Sequence, residues 1–253
     1  MKYYVVSDVH GYLTPLRQAL AEAGFFDGEE PRKLVLCGDM MDRGGEACAM
    51  EAFMTELLAR GQLIYIRGNH EDLMEALVTD VACGLPVSEL HEINGTWDTA
   101  CQLAGVDKAL AARCPQEVAR RVRESALWRT LMPASVDFYE TEHYVFLHGW
   151  LPYSELCGTG EPLPDWREAP PAAWRRARWA NGMEMACLVG YRVEGKTVVC
   201  GHWHASYGHA LLEGRGSERG EDAIDTPFRA EGILAIDACT ARSGRVSCVV
   251  LED

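Results

Sequence analysis

Five apolar segments of this chain each end in a short polar cluster that contains or adjoins glycine. The clusters read SDVHG at residues 7–11, CGDMMDRG at 37–44, RGNHE at 67–71, LHG at 147–149 and CGHWH at 200–204. Glycine at such a position lets the backbone turn sharply and approach a bound group closely. Because ligands of α/β sheets collect at the carboxyl ends of the strands, we expect the five clusters to meet in space. This expected convergence restricts the fold more than any other feature of the sequence.

The first third of the chain alternates strand and helix patterns. The predicted strands are KYYVVS, KLVLC and QLIYI, and predicted helices follow them at TPLRQALAEAG, near residues 46–60 and from HEDLMEALV onward. Thr14 is predicted to be the N-cap of the first helix, with Pro15 in its first turn. Such alternation implies parallel strands. We therefore predict a layered α/β fold with central β-sheets (a sandwich) flanked by helices.

The remainder of the chain predicts two insertions and two hairpins. Residues 80–134 have a mostly helical pattern, clearest in PQEVARRVRESALWRTLM from residue 115, and residues 151–195 are rich in proline, tryptophan and arginine. SVDFYET and YVFLHG predict one hairpin, KTVVCG a further strand, and GILAID with RVSCVVLE a second hairpin. EGRGSERGED predicts a polar surface loop. We interpret residues 1–253 as a single domain with helical cap insertions at about 80–134 and 151–195.

Composition and charge exclude several functions. The formal net charge of −14 argues against general binding to nucleic acid or to an anionic membrane, although bound metal ions and a local cationic pocket remain compatible with it. The N-terminus enters a strand pattern directly, and no apolar run approaches the roughly 20 residues that cross a membrane. The ten cysteines are scattered without a CxxC pair, and most are expected to be buried, reduced thiols. We predict a soluble cytoplasmic protein, and the sequence leaves its oligomeric state open.

The side chains of the five clusters predict a metal site. They combine carboxylates, imidazoles and one amide oxygen without thiolates, a set that suits first-row divalent ions such as Mn, Fe or Zn. They are too many for one tetrahedral ion, whereas two ions about 3.5–4 Å apart that share a carboxylate would use them all. A single cluster of this kind is more often a turn or a helix cap, but all five in order favour the metal site. We expect two divalent transition-metal ions, with Mn²⁺ as the first choice and Fe or Zn as alternatives.

The motifs DVHG, GDMMDRG, RGNHE, HG and GHWH together resemble the signature of the calcineurin-like metallophosphoesterases. The forms DRG and RGNHE resemble the branch that holds the protein serine/threonine phosphatases and the symmetrical diadenosine tetraphosphate hydrolases. The resemblance covers the core between residues 8 and 204 and neither insertion. It implies a phosphoester hydrolase in which a metal-bridging hydroxide attacks phosphorus in line.

The resemblance also implies which residues hold the metal ions. The ligands of the first ion would be Asp8, His10 and Asp39, and those of the second would be Asp39 as the bridge, Asn69, His148 and His202. The protein phosphatases usually lack the second histidine of GHWH, whereas other phosphoesterases use it as a ligand. His204 therefore either completes the first site or lies nearby, and we predict that it is a ligand.

Three further motif residues receive roles in catalysis from the resemblance, and one remains undecided. His70 would be the general acid that protonates the leaving oxygen, and Asp42 would orient its ring. Arg43 would bind phosphate oxygens, for which its planar guanidinium is suited. Arg67 would either assist in binding phosphate or form a structural ion pair, and the sequence favours neither.

Several residues outside the shared motifs bear on the substrate. Trp150 follows the HG motif directly, which puts in doubt any specificity taken from relatives. PPAAWRRARWANGM either presents cations and aromatic faces to a nucleotide-like substrate or is, more simply, an amphipathic helix with a solvated basic face and buried tryptophans. Its cations and aromatic residues are Arg175, Arg176, Arg178, Trp174 and Trp179. Asp237, near the end of a predicted strand, is expected to have a structural hydrogen-bonding role.

The sequence thus predicts an enzyme, with two candidate substrate classes. Hydrolysis of phosphomonoesters, including phosphoserine or phosphothreonine in proteins, is slightly preferred to cleavage of dinucleoside polyphosphates such as diadenosine tetraphosphate. The expected partner is accordingly a phosphorylated protein or a nucleotide-like small molecule. A hypothesis of another class is a non-catalytic module that recognises a phosphorylated partner through its metal centre. His70 and Asp42 argue against that hypothesis, because metal binding alone requires neither.

Overall fold

The structure, a computed structural model, describes residues 1–28, 30–154 and 161–253. The strands are β1 (Lys2–Val6), β2 (Arg32–Cys37), β3 (Leu63–Ile66), β4 (Tyr139–Glu140), β5 (Tyr144–Phe146), β6 (Thr197–Cys200), β7 (Phe228–Ala230), β8 (Ile233–Ala235) and β9 (Val249–Glu252). The α-helices are α1 (Leu13–Glu22), α2 (Ala47–Ala59), α3 (Asn69–Ala82), α4 (Glu89–Ile93), α5 (Thr96–Ala104), α6 (Lys108–Ala111), α7 (Pro115–Val122), α8 (Met132–Ala134), α9 (Pro171–Ala177), α10 (Gly182–Glu184), α11 (Ala205–Tyr207) and α12 (Thr240–Ser243). A 3₁₀ turn covers Trp166–Glu168, and π-helical turns cover Leu127–Leu131, Met185–Val189 and Gly208–Leu212.

The strands form two mixed sheets. The first sheet has the order β3-β2-β1-β9, in which β1, β2 and β3 are parallel and β9 is antiparallel to β1. The second has the order β4-β5-β6-β8-β7, in which β5, β6 and β8 are parallel. The parallel pairing predicted from the strand–helix alternation is confirmed, and so is the predicted hairpin of β4 and β5.

Apolar side chains from both sheets pack between them. This inner layer includes Val35 of the first sheet and Phe146 and Val199 of the second, each fully buried. The helices pack on the outer faces, where α2 and α3 contribute Met50 and Leu77 to the core of the first sheet. Each sheet therefore has one face against the other sheet and one against helices, which confirms the predicted layered α/β fold.

The two predicted insertions contribute to these outer layers. Within 80–134, the buried side chains of Trp97, Val118 and Leu131 belong to the hydrophobic core of the first sheet. Within 151–195, Trp174 stacks on Phe138 with the ring centroids 5.4 Å apart. Part of this second insertion, residues 155–160 with Cys157, lies outside the described residues. The nine described cysteines are free thiols, as predicted, but the expectation that most are buried is wrong, because only Cys37, Cys101 and Cys200 are.

The predicted hairpin of GILAID and RVSCVVLE is wrong, because its two strands belong to different sheets. β8 pairs with β6 and β7, whereas β9 pairs with β1. Between β8 and β9 the chain passes through α12, so SG does not join two paired strands. Gly232, with φ at 74°, instead turns the chain tightly between β7 and β8, and β7 was not predicted.

Two helix predictions also need correction. The first helix begins at Leu13, so Thr14 is not its N-cap; the Thr14 hydroxyl donates instead to Glu46 at 2.7 Å. The predicted long helix from residue 115 ends at Val122 and is followed by a turn before the π-helical residues. Among the described residues, no helix is long and apolar enough to span a membrane.

Candidate metal centre

Strand ends from both sheets meet at one place in the molecule. Asp8 follows β1, Asp39 follows β2 and Asn69 begins α3 shortly after β3, while His148 and His202 follow β5 and β6 of the other sheet. The backbone N–H of His202 donates to Oδ2 of Asp8 at 2.9 Å and joins the two sheets at this point. The convergence predicted from the five clusters is therefore present.

The backbone at this place is unusual, because non-glycine residues occupy the left-handed region. In the described part of the chain, seven non-glycine residues have positive φ, and only Cys239 lies outside the motifs. The other six, with their φ angles, are Asp8 (51°), His10 (47°), Asp39 (55°), Asp42 (79°), Arg43 (62°) and His202 (67°). Such conformations cost on the order of 1–3 kcal/mol each and concentrate at functional sites, where the surrounding structure holds them.

Two glycines allow the close approach of the carboxylates. A Cβ atom on Gly68 would lie 2.2 Å from Oδ1 of Asp39, and one on Gly201 would lie 2.1 Å from Oδ2 of Asp8. Neither position has space for any side chain, which explains why glycine stands in RGNHE and in CGHWH.

Side-chain atoms that can bind metal form two overlapping clusters. One ligand atom each from His10, Asp39 and His70 lie within 4.8 Å of one another, and so do ligand atoms from Asp39, His148 and His202. Oδ2 of Asp39 lies 3.8 Å from Nε2 of His10, and its Oδ1 lies 3.4 Å from Nε2 of His148. Asp39 thus belongs to both clusters, as would be required of a carboxylate that bridged two ions.

Two histidines of the clusters are oriented by backbone carbonyls. Nδ1 of His10 lies 3.0 Å from the carbonyl oxygen of Met41, and Nδ1 of His148 lies 2.8 Å from that of Cys37. A carbonyl only accepts, so each of these rings donates from Nδ1 and keeps a lone pair on Nε2. Burial lowers the pKa of both rings and that of His202 as well. The three histidines are therefore neutral, the form in which histidine binds a metal.

The arrangement of lone pairs fits a cation. Nε2 of His148 lies 2.8 Å from Oδ1 of Asn69. Both atoms carry lone pairs when Nδ1 of His148 donates to the carbonyl of Cys37. Two such atoms repel each other unless a cation lies against both. Burial also raises the pKa of Asp8 to about 6 and that of Asp39 to about 7, because removal from water outweighs the opposing charges of His148 on Asp8 and of His70 on Asp39. The donor set is one that divalent transition metals accept.

His70 differs from the other histidines in its protonation. Its Nδ1 lies 2.7 Å from Oδ2 of Asp42. Burial opposes the protonated form, but the charges of Asp39 and Asp42 and this hydrogen bond outweigh burial and raise the pKa of His70 to about 9. At neutral pH the ring is thus a proton donor.

Arg43 lies against the same ring. Its Nη1 lies 2.9 Å from Nε2 of His10, and its Nη2 lies 3.2 Å from Nε2 of His70. When His70 is protonated, both cations direct donors into one space, which an anion between them would satisfy. A cation bound at His10 would displace Arg43 from that nitrogen. One side of the centre therefore fits cations and the adjacent side fits an anion.

Glu71 holds the loop that carries Asp39. Its buried carboxylate accepts the backbone N–H groups of Gly68 at 2.7 Å, Asp39 at 3.0 Å and Met40 at 3.0 Å. Glu71 belongs to the RGNHE motif, but this role was not predicted from the sequence. Its partners lie up to 32 residues away, and no local pattern indicates them.

The first insertion supports the pair of His70 and Asp42. Thr96 of α5 donates its hydroxyl to Oδ2 of Asp42 at 2.8 Å, and Thr99 accepts the backbone N–H of Asp42 at 3.0 Å. Gly95 lies so close to Arg43 that an added Cβ would be 2.5 Å from the backbone nitrogen of Arg43. The start of α5 therefore fixes the positions of the DRG residues, which was not predicted.

Asp237 is a further carboxylate near the centre. It follows β8, it is buried, and burial together with the charge of Asp8 raises its pKa well above the ordinary value. Its Oδ1 accepts the backbone N–H of Cys239 at 2.6 Å, which agrees with the structural role expected for it. The rule that located the other clusters, a polar residue at the end of an apolar strand, also applies to this residue.

Arg67, His204 and Trp150 make contacts outside the two clusters. Arg67 donates to Asp72 at 2.7 Å and also contacts Glu75, which is the ion-pair geometry. His204 belongs to neither cluster, and its Nε2 lies 3.2 Å from Oε1 of Glu218. Trp150 is 1% exposed and packs in the core, so it does not line the centre.

The arginine- and tryptophan-rich segment follows neither interpretation completely. Trp174 is buried, as the amphipathic helix predicts. Arg178, expected on a solvated face, is instead buried in ion pairs with Asp72, at 2.6 Å, and Asp137. Trp179, expected to be buried, is 48% exposed. The simple amphipathic interpretation is thus wrong for Arg178 and Trp179.

The chain belongs to the calcineurin-like phosphoesterase family, whose model matches residues 1–206. It is therefore a hydrolase, and its family supports metal-dependent hydrolysis of phosphoesters. The resemblance inferred from the motifs is confirmed.

Two curated relatives are each named bis(5'-nucleosyl)-tetraphosphatase PrpE (asymmetrical). The relative from Bacillus velezensis is 27% identical over 119 residues, which cover 45% of this chain and 46% of that protein. The relative from Bacillus subtilis is 29% identical over 114 residues, which cover 43% of this chain and 44% of that protein. The match thus spans less than half the length of these relatives. Among solved structures, a cold-active protein tyrosine phosphatase has a TM-score of 0.54 at 17% identity, over 99% of this chain and 73% of that one, which shows likeness of fold.

Proposed function

We propose that this protein hydrolyses its phosphorylated substrate at a centre of two divalent ions, by in-line attack of water on phosphorus. The observation that carries the proposal is that Asp39 belongs to both clusters, directly beside the paired His70 and Asp42. The proposed ligands are Asp8, His10 and Asp39 for one ion and Asp39, Asn69, His148 and His202 for the other. Bound ions would activate the attacking water and withdraw charge from the phosphate oxygens.

The chain's own residues then handle the anion and the proton. Arg43 binds phosphate oxygens, for which its Nη2 already lies beside His70. His70, with a pKa raised to about 9, gives its proton to the leaving oxygen, and Asp42 holds the ring through Nδ1. We assign no direct part to Arg67 or His204, because carboxylates bind both side chains.

For the substrate, we propose dinucleoside polyphosphates as the first candidate class. The two PrpE relatives carry this activity in their names, and their likeness to this chain is one of sequence. A surface cavity of about 380 Å³ adjoins the centre through Arg43, and Gly44, Gly45 and Lys108 also line it. A chain of several phosphates extending from the centre would meet Arg43 there, whereas Lys108 is paired with Asp98, which lines the same cavity.

The second candidate class is the phosphomonoester, including phosphoserine and phosphothreonine in proteins. It is favoured by the DRG and RGNHE forms of the motifs together with the intact pair of His70 and Asp42. This class requires only that one phosphate reach Arg43 and His70.

Assays of the Mn²⁺-loaded protein with diadenosine tetraphosphate and with a phosphoserine peptide test both candidates. We expect the larger kcat/KM with diadenosine tetraphosphate. Chromatography of the products separates symmetrical cleavage, which yields ADP alone, from asymmetrical cleavage, which yields ATP and AMP. A larger kcat/KM with the peptide would reverse our order, and inactivity on both would refute both substrate classes.

A further inference from the structure

Trp179 lies at the edge of the metal centre with much of its indole ring in solvent. Its side chain is 48% exposed, and its ring centroid lies 5.7 Å from that of His202 at an interplanar angle of 84°. An exposed tryptophan therefore directly contacts a candidate metal ligand.

The segment that carries Trp179 is firmly held. The preceding residue, Arg178, is buried in its two ion pairs. The carbonyl of Ala177 accepts the backbone N–H of Trp150 at 2.9 Å. A Cβ on Gly149 would lie 2.5 Å from that same carbonyl oxygen, so the segment packs directly on the HG motif. The exposure of Trp179 thus belongs to a fixed backbone position and does not arise from loose packing.

Other tryptophans of the region are placed differently. Trp150, Trp166 and Trp174 are each at most 2% exposed and fill the core on the outer face of the second sheet. Leaving a large aromatic side chain half in water forgoes apolar burial, and here the exposed ring lies directly against a candidate ligand of the metal centre.

We propose that Trp179 is a stacking platform for a nucleobase of the substrate. This inference rests on the proposed function and narrows its substrate to nucleotides whose phosphate binds at the metal centre. Aromatic side chains stack on bases of any identity, because every base has a π-face. In a nucleotide the ribose separates the phosphate from the base. In this structure the ring of His202 separates Trp179 from Asp39, so a phosphate at the centre and a base on Trp179 would be separated in the same way. A phosphoserine side chain has no group that could stack on Trp179.

The alternative is that Trp179 only shields His202 from water. The two roles differ in what the loss of the indole changes. A shield would alter metal retention and would treat all phosphate ligands alike, whereas a platform distinguishes ligands with a base from ligands without one.

The test is isothermal titration calorimetry of the Mn²⁺-loaded protein with AMP and with ribose 5-phosphate, which differ only in the base. Chromatography after each titration verifies that the nucleotide is intact, and elemental analysis gives the metal content of each variant. The variants are Trp179→Ala and Trp179→Phe. The control is Leu188→Ala, which removes a 69% exposed apolar side chain outside the sequence motifs.

We expect the wild type and Leu188→Ala to bind AMP roughly 5- to 150-fold more tightly than ribose 5-phosphate. Trp179→Ala should bring the two dissociation constants together, and Trp179→Phe should retain most of the preference. Equal binding of the two ligands by the wild type, or a preference that survives in Trp179→Ala, would overturn the platform. An equal loss of affinity for both ligands in Trp179→Ala, accompanied by a loss of bound metal, would also overturn the platform. Because this experiment measures binding, its result does not depend on whether the protein hydrolyses diadenosine tetraphosphate.

Discussion

Replacing Glu71 by glutamine should destabilise the protein far more than the same replacement of Glu75 one helical turn later. Glu71 is 3% exposed and accepts three backbone N–H groups, two at Oε2 and one at Oε1. The carboxylate of Glu75 is 44% exposed and contacts only Arg67, which keeps its bond to Asp72. Both substitutions are isosteric and lie in α3, so they differ in what each carboxylate binds.

The size of the effect follows from the hydrogen bonds. The amide of Glu71→Gln can place its oxygen at Oε2 and keep two bonds, but its NH₂ group then faces the N–H of Met40. Loss of one hydrogen bond to a charged group costs about 1.5–3 kcal/mol, and the opposed donors add to it. We expect the free energy of unfolding to fall by about 2–4 kcal/mol, against less than about 1 kcal/mol for Glu75→Gln.

The assay is urea unfolding of both variants and the wild type in the presence of a chelator, which keeps metal binding out of the comparison. A second measurement, Mn²⁺ affinity, should also fall for Glu71→Gln, because the loop that carries Asp39 loses part of its support. If the free energies of unfolding of the two variants differ by less than about 0.5 kcal/mol, Glu71 does not hold this loop as the structure indicates.

Three further predictions concern the motif residues. His70→Asn should lower kcat by roughly 10²–10⁴-fold, because asparagine cannot donate the proton, while elemental analysis finds unchanged metal; unchanged turnover would refute the acid role. In Asp42→Asn the alkaline limb of the kcat–pH profile should move to lower pH by about one to two pH units. Activity is lost as His70 deprotonates, and the pKa of His70, about 9 in the wild type, falls without the charge of Asp42. If the limb stays in place, the limb does not report the deprotonation of His70. Gly201→Ala should reduce the bound Mn²⁺, because its Cβ would lie 2.1 Å from Oδ2 of Asp8, whereas Gly45→Ala, with no atom within 4 Å, should bind metal normally; equal metal content in both would contradict the packing argument.

The position of the centre could be predicted because it follows from a local rule. Each apolar segment ends in its polar cluster within a few residues, and parallel strands bring such ends together. Asp8, Asp39, Asn69, His148 and His202 needed only this rule, and the structure brings them together. The roles given to them remain predictions.

What the sequence could not provide depends on long-range contacts. Thr96 reaches Asp42 from 54 residues away, and no periodicity marks a threonine in an insertion as the support of an acidic residue. The last two strands were assigned to one hairpin because they are close in sequence, yet their partners lie in different sheets. Trp179 and Trp174 look alike in the sequence, and tertiary packing distinguishes them, because Trp174 packs on Phe138 and Trp166 whereas Trp179 is 48% exposed.

The proposed metal ligands and the proposed proton donor of the centre are joined through Asp39. Oδ1 of Asp39 lies 3.4 Å from Nε2 of His148 and also accepts the backbone N–H of His70 at 3.0 Å. Asn69 and His70 are the first two residues of α3, so the helix N-terminus, whose free N–H groups favour negative charge, is directed at this carboxylate. A shift of Asp39 would therefore move α3 and with it the proton donor. Substitutions at Asp39 should for this reason alter the protonation of His70 as well as metal binding, and losses at the two residues should not be additive.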